Sequence, residues 1–136
     1  MGGSLARKSV AGIMDEADEK IVGTIIEQLS LARKPQWIDV HNLRVIQYGN
    51  KLHIDCHVTL PWYFTLEESH GEVKAIEGVI NHKDSGVAEF FIHADPCIKQ
   101  QCKICMIPDC KVRQEAFKEK IDWNSFNVRR NLKHGL

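Results

Sequence analysis

"IDVHNLRVIQYGNKLHIDCHVTL", residues 38–60, decides the fold. In its second half Leu52, Ile54, Cys56, Val58 and Leu60 alternate with His53, Asp55, His57 and Thr59. A period of two puts the aliphatic groups on one face of a strand and the two histidines and the aspartate on the other. The first half reads as a second extended run, and Tyr48-Gly49-Asn50-Lys51 between them supplies the turn, so the stretch is a β-hairpin. Upstream, residues 14–33 carry Ile21, Val22, Ile25, Ile26 and Leu29 at helical spacing behind an acidic first turn, which suits the positive end of a helix dipole. Downstream, Thr65 and Glu68 form a capping box that starts a second helix at about Leu66, with Leu66, Val73, Ile76 and Ile80 along one stripe. His70 lies between Leu66 and Val73 and is expected to lean toward the sheet. "NHKDSG", residues 81–86, ends that helix. "VAEFFIHAD", residues 87–95, makes a third strand with Phe90 and Ile92 facing one way and Phe91, His93 and Asp95 the other, and Pro96 stops it.

Helix, strand, strand, helix, strand implies a small α+β sandwich whose sheet is covered on one side. Beyond Cys110, "KVRQEAFKEKIDW", residues 111–123, is expected to form a short terminal helix with Val112, Phe117 and Ile121 as its apolar edge. A chain of 136 residues is enough for one domain with an ordinary core. Lys plus Arg equals Asp plus Glu at 18 each, so the chain as a whole does not attract nucleic acid or anionic lipid, and no nucleic-acid partner is expected. No apolar run approaches the roughly 18 residues of a membrane span, and no signal peptide is visible at the start. "MGGS" resembles a vector remnant, and residues 1–5 are set aside as such. Five cysteines without an export signal point to the cytosol, where clustered thiols more often hold metal than form bridges.

His41 opens the first strand, His57 lies on the polar face of the second, His70 begins the second helix, and His93 and Asp95 share a face at the end of the third strand. Taken singly, each histidine is an ordinary half-buried or solvated residue. Together they offer imidazole nitrogens and a carboxylate suited to a borderline ion such as Zn²⁺. The segments "SLARKPQWIDVHNLR", "HNLRVIQYGNKLHIDCHV", "LEESHGEVKAIEGVI" and "FIHADP" resemble the cytoplasmic C-terminal domain of cation diffusion facilitator transporters. The likeness runs over about residues 8–97, and "KSVAGIMDEA", residues 8–17, resembles the segment leading out of the last membrane helix of those transporters. It implies a metallochaperone-like (ferredoxin-like) α-β-β-α-β domain over residues 6–97 that forms a homodimer beneath the membrane and binds Zn²⁺ or another divalent transition metal ion near the dimer interface. His41, His57, His70, His93 and Asp95 fall on the family's ligand pattern. His53 does not, although it shares a strand face with His57. Asn42 stands where the family commonly has Asp.

Cys97, Cys102, Cys105 and Cys110 are spaced C-x₄-C-x₂-C-x₄-C. That spacing lets one loop wrap an ion, with "CKIC" supplying two thiolates and the flanking cysteines closing a tetrahedron at Zn–S distances of about 2.3 Å. Cu(I) and Cd²⁺ are compatible with the same donors. An Fe–S cluster matches the first three cysteines but not the early fourth, and one or two disulfides are the structural alternative. The family pattern ends near Pro96, so residues 98–136 form an extension that metal binding would help to fold. Cys56, on the aliphatic face, belongs to no site and behaves as a small hydrophobe.

No nucleophile is paired with a base and no phosphate loop is present, so an enzyme is not expected. The reading is a regulatory and dimerisation domain of a divalent-cation efflux transporter, on the cytoplasmic side of the membrane, with the transmembrane domain of the same protein as partner. A free-standing cytosolic metal carrier or storage protein, and more remotely an Fe–S or redox module, remain as alternatives. Trp37, Trp62 and Trp123 read as core or interface anchors, and "VRRNLKHGL", residues 128–136, as a solvated tail.

Overall fold

A computed structural model describes residues 15–81 and 87–136. Its elements are β1 (Asp15–Glu16), α1 (Glu19–Ala32), β2 (Asp39–Tyr48), β3 (Lys51–Leu60), α2 (Leu66–Asn81), β4 (Val87–Pro96) and a 3₁₀ turn over Lys99–Ile104. The sheet order is β1-β2-β3-β4. β2 and β3 pair antiparallel around Gly49 and Asn50, where Gly49 takes φ +56°, a value glycine adopts at no steric cost. β3 and β4 pair in parallel, which requires a crossover, and α2 provides it. The helix-strand-strand-helix-strand order is the one the sequence predicts, with the two-residue β1 added at the edge.

The alternation in β3 holds. Ile54, Cys56, Val58 and Leu60 are all buried, and they pack with Val22, Ile25, Ile26 and Leu29 of α1 and Ile76 and Ile80 of α2 into one core. α1 begins later than the apolar spacing suggests, because Asp18 caps it by accepting from the Ile21 N–H at 2.9 Å, while Asp15 and Glu16 pair instead with Gln47 and Ile46. The capping box of α2 is formed as predicted: the Thr65 N–H donates to Glu68 Oε1 at 2.9 Å and the Glu68 N–H to Thr65 Oγ1 at 3.0 Å. Leu66, however, is 88% exposed and does not join the apolar stripe. At the first helical position it precedes the turn that meets the sheet.

β2 and β3 fall out of register between His41 and Arg44, where two residues of β2 oppose one of β3. Asn42 sits there at φ +53°, in the left-handed region that Asn tolerates better than most residues. The bulge keeps His41 on the face of His57 while Leu43 and Val45 turn into the core.

The extension departs from expectation. Residues 111–123 form no helix. Val112 and Phe117 are exposed, so their spacing buries no stripe that would hold a helix in place. Arg113 organises the segment, donating to the carbonyls of Cys102, Cys105 at 2.8 Å, Ile107 at 3.0 Å and Glu115 at 3.3 Å. Further along, Arg33 lies 3.9 Å over the ring of the buried Trp123 and donates to the Ile121 carbonyl at 2.6 Å. Residues 128–136 are not a solvated tail either. Val128 is 2% exposed within the core, and the Leu43 and Asn42 N–H groups of the bulge donate to the carbonyls of Val128 and Arg130 at 2.9 and 2.7 Å. The tail thus supplies the partners that the bulge lacks within the sheet. Residues 1–5, most of the stretch 8–17 and residues 82–86 of the helix-ending stretch lie outside the described residues.

Candidate metal centre

The sheet face away from the helices carries His53, Asp55 and His57 of β3 beside Glu89, Phe91, His93 and Asp95 of β4, with His57 directly opposite both His41 and His93. His41, His57 and Asp95 each bring one ligand atom to within 4.8 Å of the others, and they are the one such group of three or more among the described residues. His57 Nδ1 lies 3.1 Å from Asp95 Oδ2, and His41 Nε2 lies 3.8 Å from the same oxygen. Three strands therefore contribute two nitrogens and one oxygen to a common point, a donor set that fits a borderline divalent ion with a coordination position left open.

His93 is exposed and stacks on His57, with ring centroids 4.8 Å apart and planes 13° apart. It stands beside the group without belonging to it. His70 is exposed on α2, the helix that packs against the opposite, apolar face of the sheet. It does not lean toward the sheet, because Ile76 and Ile80 set the buried side of α2. His53 has both ring nitrogens engaged, Nε2 with Asp55 at 3.0 Å and Nδ1 with Glu89 at 3.1 Å.

Two residues that sequence reasoning passed over complete the surroundings. Asp39, fully buried, places Oδ2 3.7 Å from His41 Nδ1, so His41 lies between two carboxylates with its Nε2 toward Asp95. At that distance the contact is electrostatic and not a hydrogen bond, so Asp39 acts on the imidazole through its charge. Burial nevertheless holds the His41 pKa below its ordinary value, despite the pull of Asp39, which favours the neutral imidazole a metal requires. On the far side, Asp39 accepts from the His134 N–H at 2.9 Å and pairs with the His134 ring, whose pKa it raises. The period of two that joins Asp39 to His41 was available in the sequence. Nothing local pointed to His134.

The four clustered cysteines line a single cavity of about 200 Å³, walled by apolar side chains including Trp62, Ile98 and Val112. All five cysteines of the chain are unbridged. The Trp62 N–H donates to Cys97 Sγ at 3.4 Å and the Gln114 N–H to Cys102 Sγ at 3.5 Å. Burial, with help from the neighbouring thiols, pushes the Cys97 and Cys105 thiols up, against the opposing pull of the Trp62 N–H at Cys97 and of the Ile107 backbone and Arg113 at Cys105.

Residues 17–97 match the protein family described as "Cation efflux protein, cytoplasmic domain". No curated protein sequence matches the chain. Among solved structures, the MamB C-terminal domain, a magnetosome protein of Desulfamplus magnetovallimortis BW-1, is 15% identical with a TM-score of 0.52, over 59% of this chain and 96% of that one. A MamM C-terminal domain variant in a zinc form is 19% identical with a TM-score of 0.50, over 59% of this chain and 86% of that one. A copper form of the MamM C-terminal domain is 18% identical with a TM-score of 0.50, over 76% and 89%. At such identities the likeness speaks for the fold, and it is the fold the alternation and capping signals predict.

Proposed function

The chain belongs to the family of cation efflux protein cytoplasmic domains, and from that membership we infer that it regulates a divalent-cation efflux transporter by binding metal on its open sheet face. The observation that carries this reading is the convergence of His41, His57 and Asp95 from three strands on one point. Three protein donors leave a coordination position open, and the exposed His93 beside His57 is placed to approach an ion from the same face or from a neighbouring copy. Zn²⁺ suits two imidazoles and a carboxylate, and the zinc and copper forms of similar domains support an ion of this class.

An ion held partly by each of two protomers stabilises the arrangement in which both halves of its ligand set meet. The free energy of binding then appears as a preference for one dimer geometry, and in an intact transporter that preference would bias the membrane part on whose cytoplasmic side this domain lies. Among the described residues no helix is long and apolar enough to cross a membrane. The chain's role in this account is to bind and reorient, with no chemical step.

Small-angle scattering and sedimentation at tens of micromolar, with zinc and with chelator, test the reading. A dimer that becomes more compact with zinc, and a His41→Ala, His57→Ala variant that does not respond, are expected. A monomer under both conditions, or a response that survives the double substitution, would contradict it.

A further inference from the structure

We propose that Cys97, Cys102, Cys105 and Cys110 form a second metal site, a tetrathiolate for one soft or borderline d¹⁰ ion, separate from the histidine group and serving to lock the extension onto the domain. The matched family segment ends at Cys97, so three of the four thiols lie beyond it.

Four observations carry the assignment. The four cysteines, distributed over 14 residues of chain, all line one cavity of about 200 Å³. The other polar side chains around this cavity include no carboxylate and no imidazole, so the site offers sulfur, which selects Zn²⁺, Cd²⁺ or Cu⁺ over Mg²⁺ or Ca²⁺. Two of the sulfurs are already approached by backbone N–H groups, Cys97 by Trp62 at 3.4 Å and Cys102 by Gln114 at 3.5 Å, and Tyr63 and Ile107 line the same cavity as Cys105 and Cys110. Donors aimed at sulfur stabilise a thiolate far more than a neutral thiol, which is a weak acceptor. Finally, Lys99 and Arg113 line the same cavity and offset the negative charge that four thiolates leave around a divalent ion.

Among the described residues the histidine group is the one set of ligand atoms already gathered within 4.8 Å, so binding at the thiols would draw their loop inward. The consequence reaches along the chain. Apart from the short 3₁₀ turn at Lys99–Ile104, residues 97–136 contain no helix or strand, yet they contribute Gln101, Ile104, Trp123 and Val128 to the interior. A segment so long and irregular gains its order from non-local contacts, and a metal cross-link at its root adds folding free energy that backbone pairing does not. The turn bearing Cys102 also carries Gln101, which donates to Thr59 at 3.3 Å, and Ile104, whose side chain lies close to Gly135 next to His134. Ordering the thiol loop thus orders the tail.

The test is an anaerobic Cd²⁺ titration of the reduced chain, followed by the sulfur-to-cadmium charge-transfer absorption. The wild type and the His41→Ala, His57→Ala variant should both saturate at one equivalent, with an intensity corresponding to four thiolates. The Cys102→Ser, Cys105→Ser variant should lose most of the band. A single Cys110→Ser substitution should leave a weaker band of three thiolates and the far-ultraviolet circular dichroism unchanged, which separates lost ligation from lost folding. In the wild type, zinc should protect the segment beyond Cys110 from proteolysis and shield four thiols from a disulfide reagent. Absence of the band, a band of fewer than three thiolates in the wild type, equal thiol reactivity with and without zinc, or visible absorption from an iron–sulfur cluster in protein purified without added metal would each overturn the proposal. Because the histidine variant keeps the cysteines, failure here and failure of the histidine reading are independent results.

Discussion

At the scale of single residues, position relative to the sheet decides what each titratable group can do. Asp39 does not join the ligand group but acts on His41 through its charge from 3.7 Å behind, so Asp39→Asn should weaken zinc binding at the His41 group by up to about 10-fold, measured by competition with a chromophoric chelator. An unchanged affinity would mean that the ring is held by packing alone. Cys56 is the opposite case, a thiol with no partner role. Burial pushes its pKa from 9.0 to about 12, with Asp55 adding to the shift. The folded chain therefore keeps a proton that the unfolded chain releases. That contribution to stability is intact below about pH 9 and drains away as the pH rises from there toward 12. The urea midpoint should fall as the pH rises past roughly 9, and it should fall less in a Cys56→Ala variant. The histidines on the polar face of β3 were legible from alternation alone. Which of them converge was not: His53 and His57 share a face, yet only His57 faces His41 and His93 across the strands, while His53 is taken up by Asp55 and Glu89.

At the scale of elements, the strands and helices that the sequence announced are those whose signals are local. Alternation in β3, the turn at Gly49-Asn50 and the Thr65–Glu68 box all act within a few residues, and all stand where predicted. The bulge at Asn42 had no such signal, because it exists to reconcile the registers of β2 with β3 on one side and with the tail on the other. It aims His41, so its backbone conformation matters to the site. Asn42→Val places a β-branched residue at φ +53° and should cost about 1–2 kcal/mol in urea unfolding. It should also lower zinc affinity. Asn42→Gly should restore both, since glycine accepts that conformation freely. The expected helix over residues 111–123 failed for the same reason the bulge was invisible. Val112 and Phe117 are too exposed to form a buried stripe, Arg113 is taken up by carbonyls of the neighbouring loop, and Trp123 and Val128 are fixed by groups distant in sequence.

Across the whole molecule, the extension is a strap that runs from the end of β4 through the thiol cavity and back over the bulge to Asp39. It covers the core at Val128 and the buried carboxylate behind His41. Ending the chain at Trp123 should therefore lower stability by about 2 kcal/mol from the loss of Val128 burial alone. It should also weaken metal binding at the His41 group, because Asp39 would be opened to water. Calorimetric unfolding and metal titration of the shortened chain check both. One of the places where the domain fold and the strap meet lies behind His41, which β2 aims and which Asp39, held in turn by the tail, backs.

That meeting point is where the account is most directly tested, by an anomalous-scattering map from crystals of the full chain grown with zinc. A zinc peak bounded by His41, His57 and Asp95 is predicted. Zinc bound elsewhere, with those three side chains left bare, would contradict it.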